Sequence, residues 1–299
     1  MTAEGLTAAL DTRSQVAAFE RKKRPVIVQW ATAVVAIAFL AFVVVGFIQG
    51  NINWSTVGQY LFSPAVFEGL LNTVWMTFLA MGIAIVVGTG MAIMRITPNA
   101  VLQRVSKFYI WFFRGIPQLL QLYLWYNLAL IFPTLGIPGV LSVNTIDIMT
   151  PLLATALGLG LCQAAYVAEV VRAGIISVDQ GQVEAAESIG MKYSQVLARV
   201  VLPQAMRVII PPVGNYFISM VKLTSLASAI QFSEMLYNVQ TIYFVNGQVM
   251  ELLIVAAFWY LIVITLLTSV QGRIETYFSK GTVRTVTKKK PKNRHKTGA

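Results

Sequence analysis

Few residues of this chain can do chemistry, and most of them stand inside apolar sequence. Glu169 and Arg172 are three apart, which puts them on one helical face and lets them pair. Lys222 stands close to Thr224 and Ser225, and Arg114, Gln118, Gln121 and Asn215 interrupt other apolar runs. This set does not suit catalysis. The chain has one His, His295, and one Cys, Cys162. A Ser-His-Asp triad, a zinc site of several His, a cysteine-rich metal site or an intramolecular disulfide needs more than that. Ionisable groups within apolar segments are costly, and they mark solute paths or braces between helices.

The elements that must hold these residues are membrane spans. The 299 residues are 57% hydrophobic and only 12% charged, with a net charge of +11. A soluble domain carries about 25% charged residues. That balance disfavours both a disordered chain and a soluble nucleic-acid binder. Six apolar stretches, 26–48, 66–94, 105–131, 150–175, 208–230 and 250–271, each reach the ~20 residues that a span needs. Ser63-Pro64 and Thr150-Pro151 put a hydroxyl cap before a proline at the first helical position. Of the 23 Lys and Arg residues, five fall in residues 1–25 and four around the connection of the second and third spans (Arg95, Arg104, Lys107, Arg114). Four fall between the interior of the fourth span and the start of the fifth (Arg172, Lys192, Arg199, Arg207) and nine from Arg273 on, and the last is Lys222 inside the fifth span. The connections 49–65, 132–149 and 231–249 carry none. The rule that cytoplasmic loops are basic then predicts six spans with both termini in the cytoplasm.

Smaller features shape the bundle. Ala156, Gly160, Ala164 and Ala168 recur every fourth residue and form a ridge for close helix approach. Pro117 and Pro211-Pro212 remove backbone donors and should bend or interrupt their helices, either as plain kinks or as a pathway lining. Pro133, Gly136, Pro138 and Gly139 predict a structured turn in the 132–149 connection. Asp147 and Glu234 lie in connections without basic residues. They suit contact with a basic partner, although orientation bias alone explains the pattern and is preferred. The polybasic run Lys288–Lys296 suits anionic lipid or a solvated tail.

One cytoplasmic segment, 178–203, differs from the other connections. Asp179 or Gly181 can start a short helix, with Glu184 and Glu187 then favouring its positive N-terminal end, and Gly190 can stop it. Ser194 can cap a second short helix that Pro203 follows. Ala185 and Ala186 offer a smooth surface for another protein. Glu184-Ala185-Ala186, three residues, Gly190, nine residues and Val200-x-Leu202-Pro203 resemble the EAA loop of type I ABC importer permeases, with Val200 in place of the usual Ile. Further segments resemble the polar amino-acid branch of that family. Gly69, Leu70 and Thr73 fit GL-x2-T, and Arg114 to Leu122 fits RG-x-P-x3-QL. Ala165 to Ile175 fits AY-x-AE-x2-R-x-GI. Leu202 to Arg207, Pro211 to Asn215 and Lys222 to Leu226 fit LPQA-x-R, PP-x2-N and K-x-TSL.

The resemblance implies an all-α integral membrane protein with about six transmembrane helices and a cytoplasmic coupling helix. It implies a basic tail at 1–25, a permease domain at 26–271 with a family-like core at 66–271 and the coupling loop at 178–203, and a second basic tail at 272–299. It implies a multi-pass subunit of the bacterial inner membrane that carries a polar amino acid (glutamate, glutamine, arginine, histidine, cystine and opines all remain open). The implied partners are a cytoplasmic ABC ATPase dimer, an extracytoplasmic solute-binding protein, a second permease subunit (the same chain or a related one) and membrane lipid, but no nucleic acid. The chain has no G-x4-G-K-[ST] phosphate loop, so it is expected to be no enzyme and to hold no cofactor, with ATP bound by the partner. The implied coupling residues are Glu184, Ala185, Ala186, Gly190, Leu202 and Pro203. Gate or pathway candidates are Arg114, Gln118, Gln121, Glu169, Arg172, Asn215, Lys222, Thr224 and Ser225. Glu169 and Arg172 would brace a gate, or Arg172 would only reach the interface. Lys222 could pair with Glu169, meet an amino-acid carboxylate or brace the bundle, and bracing is preferred. Gln118, Gln121 and Asn215 line a pathway or bond between helices. The alternative function is a stand-alone secondary carrier or channel for small polar solutes.

Overall fold

The computed structural model describes residues 26–137 and 141–279. The tail 1–25, Pro138, Gly139, His295 and the polybasic run lie outside the described residues. The chain divides into two compact units between Asn53 and Trp54, each described by itself. In the first, α1 (Val26–Gln49) is apolar on every side. Its 24 residues reach about 36 Å, more than the ~30 Å of a bilayer core.

The second unit opens with α2 (Trp54–Leu61) and α3 (Pro64–Ile96). The next helices are α4 (Ala100–Gly115) and α5 (Gln118–Tyr126). A hairpin of β1 (Thr134–Ile137) and β2 (Leu141–Asn144) pairs Thr134 with Asn144 and Gly136 with Ser142, and α6 (Thr145–Ile148) follows it. Thr145 fastens the hairpin through its backbone N–H to the Pro133 carbonyl, at 3.0 Å, and its hydroxyl to the Phe132 carbonyl. Then come α7 (Pro151–Ile176), α8 (Gln180–Ser188), α9 (Tyr193–Val196) and α10 (Leu202–Leu223). A π turn, Leu197–Val201, joins α9 to α10, and a 3-10 segment, Thr224–Ile230, follows. The described chain ends with α11 (Met235–Asn246) and α12 (Val249–Ser279).

Five helical paths among the described residues are long and apolar enough to cross a membrane: α1, α3, α7, Tyr193–Ile230 and α12. The expected third span, 105–131, is two shorter helices instead. Pro117 has no N–H, and a residue before proline avoids helical backbone. Ile116 is accordingly extended, at φ −102° and ψ 133°. The other prolines behave differently: α10 runs through Pro211 and Pro212 without interruption. Thr150 caps α7 by accepting from Leu153 N–H at 3.3 Å, whereas the Ser63 hydroxyl makes no capping bond.

The core is set by how closely the helices approach. Ala156, Gly160, Ala164 and Ala168 are all buried on α7. A Cβ on Gly88 of α3 would lie 2.7 Å from the Ala164 carbonyl oxygen and 2.8 Å from Val167 Cβ. One on Gly160 would lie 2.9 Å from Ile83 Cβ and 3.2 Å from the Ala80 carbonyl oxygen. On the other flank, one on Gly174 would meet Ile209 Cγ1 of α10 at 2.3 Å. The first two pairs make α3 and α7 parallel, and Gly174 beside Ile209 with Tyr166 beside Tyr216 makes α10 antiparallel to α7.

The 231–249 connection is no open loop. It folds as α11, which packs Met235 and Val239 against Val66 of α3 and Leu252 and Val255 of α12. Asn72 donates to the Ser233 carbonyl at 2.7 Å, and Asn238 to the Ala65 carbonyl at 2.8 Å. Glu234 is fully buried, so it offers no surface charge to a partner, which leaves the preferred reading, orientation bias alone. It caps α11 through Leu236 N–H at 2.9 Å and Tyr237 N–H at 2.7 Å, and it accepts from the Tyr260 hydroxyl at 2.8 Å. Asp147 stays exposed and accepts from the Asn144 amide at 3.1 Å.

Two predictions follow from this packing. Gly88→Leu should cost about 1–3 kcal/mol by overpacking and lower the melting temperature in detergent. Gly82→Leu should not, since nothing lies within 4 Å of its Cβ, and equal melting of the two variants would refute the close-contact account. Burial pushes the Glu234 carboxyl above the usual carboxylate range, against the pull of its three donors. The folded chain thus binds this proton more tightly than the unfolded chain. That contribution is full below the unfolded pKa and is lost as pH rises through the folded one. Melting temperatures measured from about pH 4 to about pH 8 should show Glu234→Gln gaining on the unaltered chain as pH rises; a gap that moves the other way contradicts this.

Candidate functional site

The 178–203 segment is a helix, a reversal and a second helical start. Asp179 caps α8, its carboxylate accepting from Gly181 N–H at 2.8 Å. Because α8 starts at Gln180, Glu184 sits in its second turn and Glu187 near its C-terminal end. The favourable dipole expected for these two glutamates is therefore absent, and their exposure has no local structural reason. Gly190 ends the helix at φ +82°, a left-handed conformation that costs a residue with a Cβ about 1–2 kcal/mol. Its N–H donates to the Glu187 carbonyl at 2.9 Å, and Met191 N–H to the Ala186 carbonyl at 3.2 Å.

The two alanines point different ways. Ala186 is buried against Val196 and Val201, while Ala185 is exposed with Glu184. The outward surface instead includes Ile189 and Tyr193, 79% and 77% exposed, which the motif does not mark. The second helix is capped at Lys192 and not at Ser194: Lys192 N–H donates to Gln195 Oε1 at 2.9 Å. Pro203 does not follow this helix either, since the path is helical from Tyr193 through Ile230. Leu202 and Pro203 form its exposed shoulder at the start of α10.

The gate and pathway candidates separate into distinct sets. Gln121 is buried and lines nothing. Its amide donates at 2.9 Å to both the Phe113 and Ile116 carbonyls, which the break at Pro117 leaves without helical partners. Thr224 is also fully buried and donates to the Val221 carbonyl at 2.7 Å, and Ser225 donates to the Lys222 carbonyl at 2.7 Å. Glu169 and Arg172 do pair, at 2.8 Å, with side chains one-quarter and one-third exposed.

Arg114 lies over the Tyr166 ring, 4.9 Å from its centre, and Tyr166 meets Tyr216 of α10 edge-on at 6.1 Å. Gln118, half-buried, has an amide nitrogen with no partner among the described residues. Lys222 is exposed and braces nothing among the described residues. It cannot reach Glu169. Gly174 stands beside Ile209, and Tyr166 beside Tyr216. Lys222 is therefore nine residues from the level of Glu169, or about 13 Å along the bundle. Asn215, Ser219 and Lys222 share one face of α10, exposed or half-buried. Ser219 was findable from its i, i+4, i+7 spacing with the other two. The roles of Tyr166 and Tyr216 were not, because aromatic residues in a span read as packing.

The left-handed turn predicts its own sensitivity. Nothing lies within 4 Å of a Cβ on Gly190, so only backbone conformation is at stake. Gly190→Val should speed trypsin cleavage after Lys192 by about tenfold, while Gly190→Asn, which tolerates this region, should change it little. Equal rates for both would remove the conformational requirement.

The family described as the binding-protein-dependent transport system inner membrane component matches residues 84–280. The arginine transport system permease protein ArgU of Corynebacterium glutamicum is 38% identical over 262 residues, 87% of this chain and 83% of that one. The L-cystine transport system permease protein TcyB of Bacillus subtilis is 37% identical over 225 residues, 75% of this chain and 90% of that one. Among solved structures, an amino acid ABC transporter crystallised with histidines is 31% identical, covers 76% of this chain and 100% of its own, and superimposes with a TM-score of 0.66. A chain of the MetNI methionine ABC transporter, 18% identical with a TM-score of 0.57, shares the fold. These matches do not favour a stand-alone carrier or channel. This chain belongs to the family of binding-protein-dependent transport system inner membrane components, and it is a permease of the type I ABC importer fold.

Proposed function

We propose that this chain forms the translocation pathway for a polar amino acid and is driven by a separate cytoplasmic ATPase dimer docked on α8. The observation that carries the reading is the outward face of Glu184, Ala185, Ile189 and Tyr193. It is exposed, mixed in polarity and held by Ala186 on a small apolar core. A surface of that kind suits the cleft of another protein. The names of the relatives support the substrate class: one is called an arginine permease and another a cystine permease. They also differ from each other, which leaves the choice of amino acid to an extracytoplasmic solute-binding protein.

A second permease subunit, the same chain or a related one, completes the pathway. Asn215, Ser219 and Lys222 of α10 face it, and the Lys222 ammonium is suited to an amino-acid carboxylate. Arg114, stacked on Tyr166, and the Glu169–Arg172 pair stand nearer the ATPase as gate elements. The basic connections put both termini, with the tails 1–25 and 272–299, in the cytoplasm, and residues 178–203 act as the coupling loop of the 26–271 permease domain. Hydrolysis of ATP belongs to the partner.

The test is uptake by vesicles holding the chain, its ATPase and the solute-binding protein. Ile189→Asp and Glu184→Lys should each insert normally, yet lose ATPase capture and at least about tenfold of ATP-driven uptake, as central interface residues do. Undiminished capture and uptake in both would show that α8 is not the docking element.

A further inference from the structure

The helical path that begins at Tyr193 is continuous but not uniform. Leu197–Val201 is wound as a π turn, and Leu202 N–H donates to the Leu197 carbonyl, five residues back. A π turn is rare and costs hydrogen-bond geometry, so a chain that keeps one has a use for it. The next donor in the series is missing, because residue 203 is a proline. Just beyond the proline, the Gln204 side-chain amide bonds back into the turn, donating to the Val200 carbonyl at 3.0 Å.

The position of this turn is informative. On one side, Val196 and Val201 pack on Ala186 of α8. On the other, Ala205 and Ile209 lie under Gly174 of α7. The π turn thus joins α8 and α9 to the part of α10 clamped to α7. Ala198 and Arg199 on its outer side are exposed, while Val201 and, in part, Leu197 and Val200 pack in the satellite core with Ala186, so rewinding the turn moves α10 relative to that core. Moving one residue between π and α winding turns one flank relative to the other by about 100° and shifts it by about 1.5 Å.

We propose that Leu197–Val201 is the joint at which movement of the coupling loop becomes rotation of α10. Gln204 is the positioning residue that holds the joint in its π form by occupying the Val200 carbonyl. The proposal rests on the docking of α8 described above. It adds a place and a mechanism for the transfer of motion.

The test uses the chain assembled with its ATPase in vesicles and counts solute imported per ATP hydrolysed. Gln204→Glu removes the amide donor without changing side-chain length. Deletion of Ala198 takes out one residue and favours plain α winding. Both should keep the ATPase bound at the normal stoichiometry and hydrolysing ATP, while imported solute per ATP falls about three- to tenfold, the range expected for residues that carry coupling. A purely structural role would lower assembled complex and leave that ratio alone. In the unaltered complex, amide exchange at Leu202 and Gln204 should differ at least about tenfold between nucleotide-free and ATP-bound states. A normal ratio in Gln204→Glu, or exchange at these amides that ATP does not move, overturns the joint. The exchange measurement decides alone if neither variant assembles. Failure of the unaltered chain to bind an ATPase is a different result, and it would count against the docking of α8.

Discussion

The structure depends on backbone coming within van der Waals reach of backbone along α7. Gly88 of α3 lies under the Ala164 carbonyl, Gly160 under the Ala80 carbonyl, and Gly174 under Ala205 and Ile209 of α10. In hydrocarbon there is no hydrophobic force to bring helices together, so association rests on such contacts. Helix α7 is accordingly two-thirds buried over its apolar stretch, the most of any spanning helix. A side chain at any of these glycines would have to be accommodated by moving a helix.

That closeness divides the molecule into what can move and what cannot. The α3–α7 pair and the adjoining half of α10 form one packed block. Three elements stand at its edge: α8 and α9 on their small satellite core, the π turn, and the α4–α5 break sealed by Gln121. Each has its backbone groups satisfied by side chains and not by helix alone: Gln204 for the Val200 carbonyl, Gln121 for the Phe113 and Ile116 carbonyls, and Asp179 for the Gly181 N–H. Side-chain bonds of this kind exchange partners more readily than a helical ladder, which suits an alternating-access device with two packed states.

Polar residues divide by the same logic. Those near the break or the helix ends, Gln121, Thr224 and Glu234, are consumed in satisfying backbone, and they are buried. Those on the outer side of α10, Asn215 and Lys222, have no such task and stay exposed. An ammonium on a spanning helix does not face lipid tails at small cost, so this face points to water or to a second subunit.

The sequence by itself determined the membrane class and the placement of most spans, and it singled out the 178–203 segment. These depend on composition, on 20-residue apolar lengths and on motif spacing, all of which are local. It also located the helix stop at Gly190 and the break at Pro117, because one residue's backbone chemistry decides each. Only the tertiary structure decided which way each polar side chain is used. Ala185 and Ala186 are neighbours in one motif, yet one faces out and the other in, since a helix turns by about 100° per residue. A Lys222–Glu169 pair was one of three options open in the sequence until the antiparallel register of α7 and α10 placed the two residues apart. Glu234 read as an outer charge until α11 folded over it. In each case the deciding contact lies far away in sequence, where no local pattern records it.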